Sequence, residues 1–499
     1  MRKVIDLQMR LGEKDIGTIE FDPKSRDDIP QILRGLQHIY TESEAREQIF
    51  GILEELLPKR VGGKKGKADP NNGRPGMAQW KILVLGVLRL ALNMDYDRLQ
   101  ELANQHNTIR QMLGHSDWMD DTRYELQTLK DNVGLFTPEI LDRINQVVVR
   151  AGYRALKKSP EEGIDARADS FVVETDVHFP TDINLLLDAV RKTIEIAAKL
   201  AKENGLKGWR RRRDYQKHLK RLYRIVQKLK HSTSKDEEKR KKKAKEIQQA
   251  YRNYLKLAQS YLDRAEEIRG QVDLSTARNT ALLAKLDNYM SHAKRQIDQT
   301  DRRAIKGEKI PHAEKVLSIF EPHTEWVVKG KAGVPVELGL RVCVVEDKNR
   351  FILHHQVMEK LTDEQIAVAI IQETKARFPA LRAVSFDKGF YSPANQVQLA
   401  ECLELVVLPK KGKLSQADRA RETSPEFVCL RRQHSAVESA INALEVHGLD
   451  RCPDHGSDGF KRYVALAVVA RNIQRLGAVL RQQDADKERR RRGPYKKAA

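Results

Sequence analysis

The stretch FVVETDVHFPTDI, residues 171–183, starts as a core strand and then breaks its own pattern. Phe171, Val172 and Val173 form the apolar run. Glu174 and Asp176 follow at once, two residues apart and so on one side of a strand, before a helical period takes over at Leu185. Thr181 and Asp182 precede that helix and read as caps. Asp176 instead stands where a strand end would deliver a carboxylate to a site.

The rest of the chain sets bounds on that site. Its 499 residues can bury a large core, and the length suits roughly two to four domains. The longest apolar window, residues 82–94, is interrupted by Arg89 and is too short to span a bilayer. The start, MRKVIDLQMRLGEKD, lacks the apolar core of a secretory signal, so a cytoplasmic protein without a membrane partner is expected. Cys343, Cys402, Cys429 and Cys452 form no Cys-x-x-Cys pair, and neither a zinc site nor a disulfide framework is indicated. The balance of 91 Lys+Arg against 70 Asp+Glu, a formal charge of +21 and a pI near 9.6 point to a polyanionic partner, nucleic acid first.

Composition and periodicity divide the chain. Residues 1–60 read as a helical segment and 61–76, VGGKKGKADPNNGRPG, as a flexible basic linker. Helices closely spaced over 77–165 suit either a helix-turn-helix-like DNA-binding domain or a plain bundle. Residues 184–310 read as a basic helical insertion of long antiparallel helices. In it, WRRRRDYQKHLKRLYRIVQKLK (209–230) places Arg210, Arg211, Arg212, Arg213, Lys217, Lys220, Arg221 and Arg224 over an apolar stripe, with Trp209, Tyr215 and Tyr223 interleaved. This face, with the run KDEEKRKKKAKE that follows, is expected to contact DNA phosphates. From about 311 the period becomes that of strands: KVLSIFEPHTEWVVKG, VPVELGLRVCVVED and NRFILHHQVM form a meander, followed by helix, LRAVSF, helix, LELVVLP and closing helices. The tail, 483–499, reads as basic and disordered. Residues 166–183 and 311–482 thus make one α/β domain with a mixed sheet.

Three acids stand where these elements could bring them together. Asp176 ends the first strand, Asp387 follows LRAVSF, and Glu438 lies in RRQHSAVESAINAL on a late helix, where Arg431, His434, Glu438, Asn442 and Glu445 share a face. Clustered carboxylates raise each other's pKa, and a hard divalent cation relieves the conflict. Mg²⁺, or Mn²⁺, as a pair of ions would support the attacking and leaving oxygens of a phosphoryl displacement.

ETDVHFPTDINLL, SFDKGFYSP and RRQHSAVESAINALEVHGLDR resemble the three catalytic blocks of bacterial insertion-sequence transposases with a DDE motif, particularly those of the ISNCY group. The resemblance implies an RNase H-like catalytic domain with acids on the first strand, after the fourth strand and on a following helix. Carried over by position, these are Asp176, Asp387 and Glu438, both catalytic and metal-binding. It further implies binding of terminal inverted repeats, Mg²⁺-dependent strand cleavage and transfer, a homo-oligomer on double-stranded DNA ends and target, and a nucleoid-associated bacterial protein. Related groups carry Tyr, Arg, Glu and Lys around the third acid, where this chain has Arg431, His434, Glu438 and Glu445; Glu445 therefore competes with Glu438. Glu174, Lys388, Arg431, Arg432 and His434 are supporting candidates. A nuclease without strand transfer and a nonenzymatic nucleic-acid-binding scaffold are the alternatives.

Overall fold

The computed structural model describes every residue except 1–2, 7, 10, 23, 58–75, 119, 160–161, 232–235, 312–313, 329–334 and 493–499. The expected linker, 61–76, falls almost wholly outside the described residues. The fold is α/β with a seven-stranded mixed sheet.

The first strand, β1 (Ile164–Thr175), begins seven residues before the apolar run. Its first half, IDARADS, alternates: Ile164, Ala166 and Ala168 are buried, and Asp165, Arg167 and Asp169 are half-buried. That period of two is a strand's signature even though half of the residues are charged. The short strand β2 (Glu325–Val328) and the long strands β3 (Val336–Asp347) and β4 (Ile352–Met358) follow. β3 pairs antiparallel with both β1 and β4. The β3–β4 turn is held by Asp347, whose Oδ1 accepts from Phe351 N at 2.8 Å and from Asn349 N at 2.9 Å. β5 (Leu381–Phe386) runs parallel to β1, and β6 (Leu405–Val407) parallel to β5. The order is β2-β3-β1-β5-β6, with β4 paired to β3 and the two-residue β7 (Arg451–Cys452) paired to the end of β1.

Helices precede and cover the sheet: α1 (Ile29–Thr41), α2 (Ser43–Glu54), α3 (Gln79–Ala91), α4 (Tyr96–Gln105), α5 (Asn107–Met112), α6 (Leu126–Val133) and α7 (Pro138–Ala155). Every residue of α3 except Lys81 is buried, so α3 is a core helix rather than part of an exposed DNA-reading unit. The insertion holds α8 (Asp182–Glu203), α9 (Arg212–His231), α10 (Glu237–Gln271) and α11 (Ala277–Thr300). After the meander come α12 (Asp363–Arg377), α13 (Pro393–Cys402), α14 (Gln416–Glu422), α15 (Pro425–His434), α16 (Ala436–Leu444) and α17 (Ser457–Arg492).

The chain forms two compact units, Met1–Asp176 with Val327–Ala499, and Val177–Trp326. In the first, the N-terminal helices and the sheet share one hydrophobic core, so the separate domains expected over 1–60 and 77–165 are a single body with the sheet. α1 and α17 touch backbone to backbone: a Cβ at Gly35 would collide with Ile473 O, and one at Gly477 with Gln31 O. Buried Asn472 on α17 accepts from Ile352 N (2.9 Å) and donates to Asn145 Oδ1 (2.7 Å), fastening α17 and α7 to β4. α17 carries the one stretch among the described residues long and apolar enough to cross a membrane; 78% of it is buried inside the protein, which assigns that apolarity to the core. It continues through Arg492, where a disordered tail was expected from 483; residues 493–499 lie outside the described residues.

The second unit has its own core, built from Leu186, Ile194, Leu219, Val226, Tyr254 and Leu286 among others. KVLSIF, expected as a strand, belongs here instead: Ile319 is buried in this core and Val316 and Phe320 pack against it.

Candidate active site

β1 places three charged side chains at alternate positions, and the last of them, Asp169, sits beside β5. In the parallel register Ala168 pairs with Phe386, so Asp169 and Asp387 are the next positions on two adjacent strands. Asp387 leaves the sheet there, opening a 3-10 turn over Lys388–Phe390, and is exposed. α16 packs against β1 with Glu438 in its first turn.

The electrostatics identify the same set. Burial, followed by the negative charges of Asp387, Asp363 and Glu438, pushes the Asp169 carboxyl up to about 6, against a single opposing hydrogen bond from Ser170 N to Asp169 Oδ1 at 2.8 Å. Among the described residues, none of Asp169, Asp387 and Glu438 forms an ion pair. A half-buried acid facing three others, of which Asp363 is met by Arg341 at 4.0 Å, is costly for the fold. Asp363, at the start of α12, is the fourth member: its Oδ1 accepts from Ser170 Oγ at 2.6 Å and its Oδ2 lies 3.1 Å from where a Cβ on Gly389 would stand. It thereby touches both acid-bearing segments.

Asp176 is not in this set. It lies beyond the end of β1, seven residues from Asp169 and so roughly 20 Å along an extended chain. It is exposed, and its neighbour is Arg451 at 3.7 Å. Glu174 meets the same arginine, accepting from Arg451 Nη2 at 2.9 Å. These two acids form a peripheral ion-pair group, and the first acid beside Asp387 is Asp169. The alternation in IDARADS could have found it; the apolar run after it points to the other end of the strand.

The late acidic helix is also two helices. α15 ends at His434 and α16 begins at Ala436, with Ser435 between them, so Arg431 and His434 do not continue the face of Glu438. Arg431 turns to Glu422 at 3.5 Å. Glu445 lies a helix length away in a π-turn, Glu445–Leu449. His434 does reach the site: its Nδ1 is 3.0 Å from Ser385 Oγ on β5, and burial lowers its pKa while Asp387 opposes that shift. Lys388 and Arg432 are exposed.

Arg167 fixes α15 over the sheet. It donates through Nε to Glu346 Oε2 at 2.7 Å and through Nη1 to Gln433 O at 3.4 Å, and Glu346 is almost wholly buried.

The donor chemistry of Asp169, Asp387 and Glu438 fits a hard divalent cation, since these are carboxylates without an ion pair among the described residues, whereas Asp363 has Arg341 at 4.0 Å. Among the described residues, no three acids, imidazoles or thiols stand close enough together to enclose an ion by themselves. In comparisons with known proteins, no family model, no curated protein and no solved structure matches this chain.

Proposed function

We propose that the protein is a DDE-type DNA transposase whose three acids are Asp169, Asp387 and Glu438. The observation that carries the reading is the placement of Asp169 beside Asp387, with Glu438 close enough to help raise it to about 6. The strand order supports an RNase H-like domain. With the short β2 set aside, the acids lie on the first strand, after the fourth, and on a later helix, as the resemblance in the sequence implies. The substrate is then double-stranded DNA, at transposon ends and target, handled by a homo-oligomer in the bacterial cytoplasm and nucleoid.

Asp169, Asp387 and Glu438 would hold Mg²⁺ or Mn²⁺, probed as a pair of ions, which when bound supplies Lewis-acid stabilisation to attacking and leaving phosphoryl oxygens. Asp169 is the most constrained of the three, held in a strand interior and oriented by Ser170 N. Asp387 and Glu438 are exposed and free to adjust. His434, kept largely neutral by burial and placed by Ser385, stands next to Asp387 as a hydrogen-bonding partner for solvent or phosphate.

The test is cleavage of a duplex carrying the element's terminal repeats. Asp169→Asn, Asp387→Asn and Glu438→Gln should each abolish Mg²⁺-dependent nicking while DNA binding persists, and the unmodified protein should join a 3′-hydroxyl end to a target duplex. Nicking without any joined product would favour a nuclease; full activity in Asp169→Asn would refute the site.

A further inference from the structure

Burial in the insertion unit leaves an excess of cation on one surface. A cleft of 1320 Å³ opens between α8, α9 and α11, and its rim carries Lys199, Lys202, Arg210, Arg212, Arg213 and Lys285. Its two acids are already engaged: Glu195 bonds Lys192 at 2.9 Å, and Glu203 bonds Arg278 at 2.6 Å. None of those six cations forms an ion pair among the described residues. The surface continues along α9, where Lys217, Lys220, Arg221, Arg224 and Lys228 recur at helical spacing and line a shallow groove. They too are without ion pairs among the described residues, and Asp214 is the one acid in α9. Leu219 and Val226, on the opposite side of the helix, are buried.

The neighbouring cation run behaves differently. At the start of α10, Lys239 pairs with Asp236 at 3.6 Å and Lys241 with Glu237 at 3.2 Å. The aromatics interleaved with α9 are also engaged. Trp209 is 4% exposed, and the Arg264 guanidinium lies 4.9 Å from its ring and 4.6 Å from that of Tyr215. Tyr223 Oη donates to Asn184 Oδ1. No aromatic of this set is left to stack on an unpaired base, and the α9 groove offers no amide or carboxylate to read an adenine or cytosine edge.

We infer that the insertion unit grips duplex DNA by its phosphate backbone, independently of sequence, along the surface from the cleft to Lys228. The stripe from Lys217 to Lys228 spans about 16 Å of helix axis, over which a duplex carries roughly ten phosphate charges. Ile225 is the one large exposed apolar side chain in the stripe, too little for an amphipathic membrane face. The inference rests on nucleic acid being the substrate, but not on the metal chemistry.

The experiment is binding of the full-length protein to random-sequence duplex in chelator, so that cleavage cannot contribute, across a salt series. The variant K217Q/K220Q/R221Q/R224Q/K228Q should reduce the slope of log affinity against log salt by about 4, near 0.9 for each phosphate that is no longer neutralised. K217R/K220R/K228R should keep the slope, and circular dichroism should show both variants folded. An unchanged slope in the glutamine variant overturns the inference, as does loss of binding to anionic vesicles while duplex binding is intact. A normal slope in a protein that never cleaves would sink the proposed activity and leave this surface standing.

Discussion

The two units leave charge uncompensated in different ways. Residues 177–326 hold 35 Lys+Arg and 20 Asp+Glu, so 35 − 20 = +15 of the chain's +21 resides there. The other unit is nearly balanced overall and concentrates unpaired carboxylates around Asp169. The net charge of the whole chain is therefore mostly that of the insertion unit, 15 of 21, and the carboxylates around Asp169 are not visible in the sum. Like charges held together oppose folding. Local rules of pairing are most often broken at functional sites, where a ligand of opposite charge completes them. On the proposed reading, the carboxylate group would be completed by small hard cations and the α9 surface by a polyanion.

The largest effect should come from pitting the two ends of β1 against each other. Asp169→Asn should lower Mg²⁺-dependent strand cleavage on the order of 10²–10³-fold or more, the scale of losing a group that stabilises developing charge. Asp176→Asn should stay within a few-fold of the parent, because that side chain is exposed and its ion-pair partner among the described residues is Arg451. Single-turnover nicking at saturating protein reads both. Equal losses in the two variants would move the site to the strand end.

The next effect concerns the scaffold under the acids. Arg167→Met removes the ion-pair partner of buried Glu346 and leaves the more distant Arg471 as a cation acting on it, so the cost should approach that of removing one partner of a buried pair, about 3–5 kcal/mol. Adding Glu346→Leu should recover much of that stability, measured by urea unfolding. α15, which Arg167 also holds through Gln433 O, would remain loosened, so activity should recover less than stability does.

Much of this fold was legible in local pattern. LRAVSF is β5, the helices of the insertion follow their apolar periods, and PEILDRINQVVVRAGYRA is α7. What could not be read was nonlocal. The partner of Asp387 depends on the register of β1 against β5, two strands separated by more than 200 residues, and the apolar run of β1 is not the part that lies beside β5. Asp169 belongs to the alternating half, where charge on one face masks the strand. The split between α15 and α16 did leave a trace, since Ser435 and Glu438 have the spacing of a helix start. The unpaired state of α9, against the paired start of α10, follows from which acids fold near each, and a run of basic letters does not contain it.

The smallest effects probe the electrostatic strain directly. Asp169 has a folded pKa near 6 and an ordinary unfolded value near 3.8, so the folded state binds the extra proton between them. Stability should be greatest below about pH 4 on this account and fall as pH rises through 6, by roughly 1–3 kcal/mol after allowance for partial exposure. Asp169→Asn should flatten that segment and be the more stable protein at pH 8. Mg²⁺ should stabilise the parent at pH 8 and lose most of its effect in the variant. Asp363→Asn removes a negative charge acting on Asp169 and frees Arg341, while leaving a group that can still meet Ser170 Oγ. It should lower the Asp169 midpoint by less than about one unit, read by the pH dependence of unfolding or by carboxyl NMR. A midpoint that does not move would mean that burial alone raises Asp169, and the case for a cation-seeking cluster would then rest on Asp387 and Glu438.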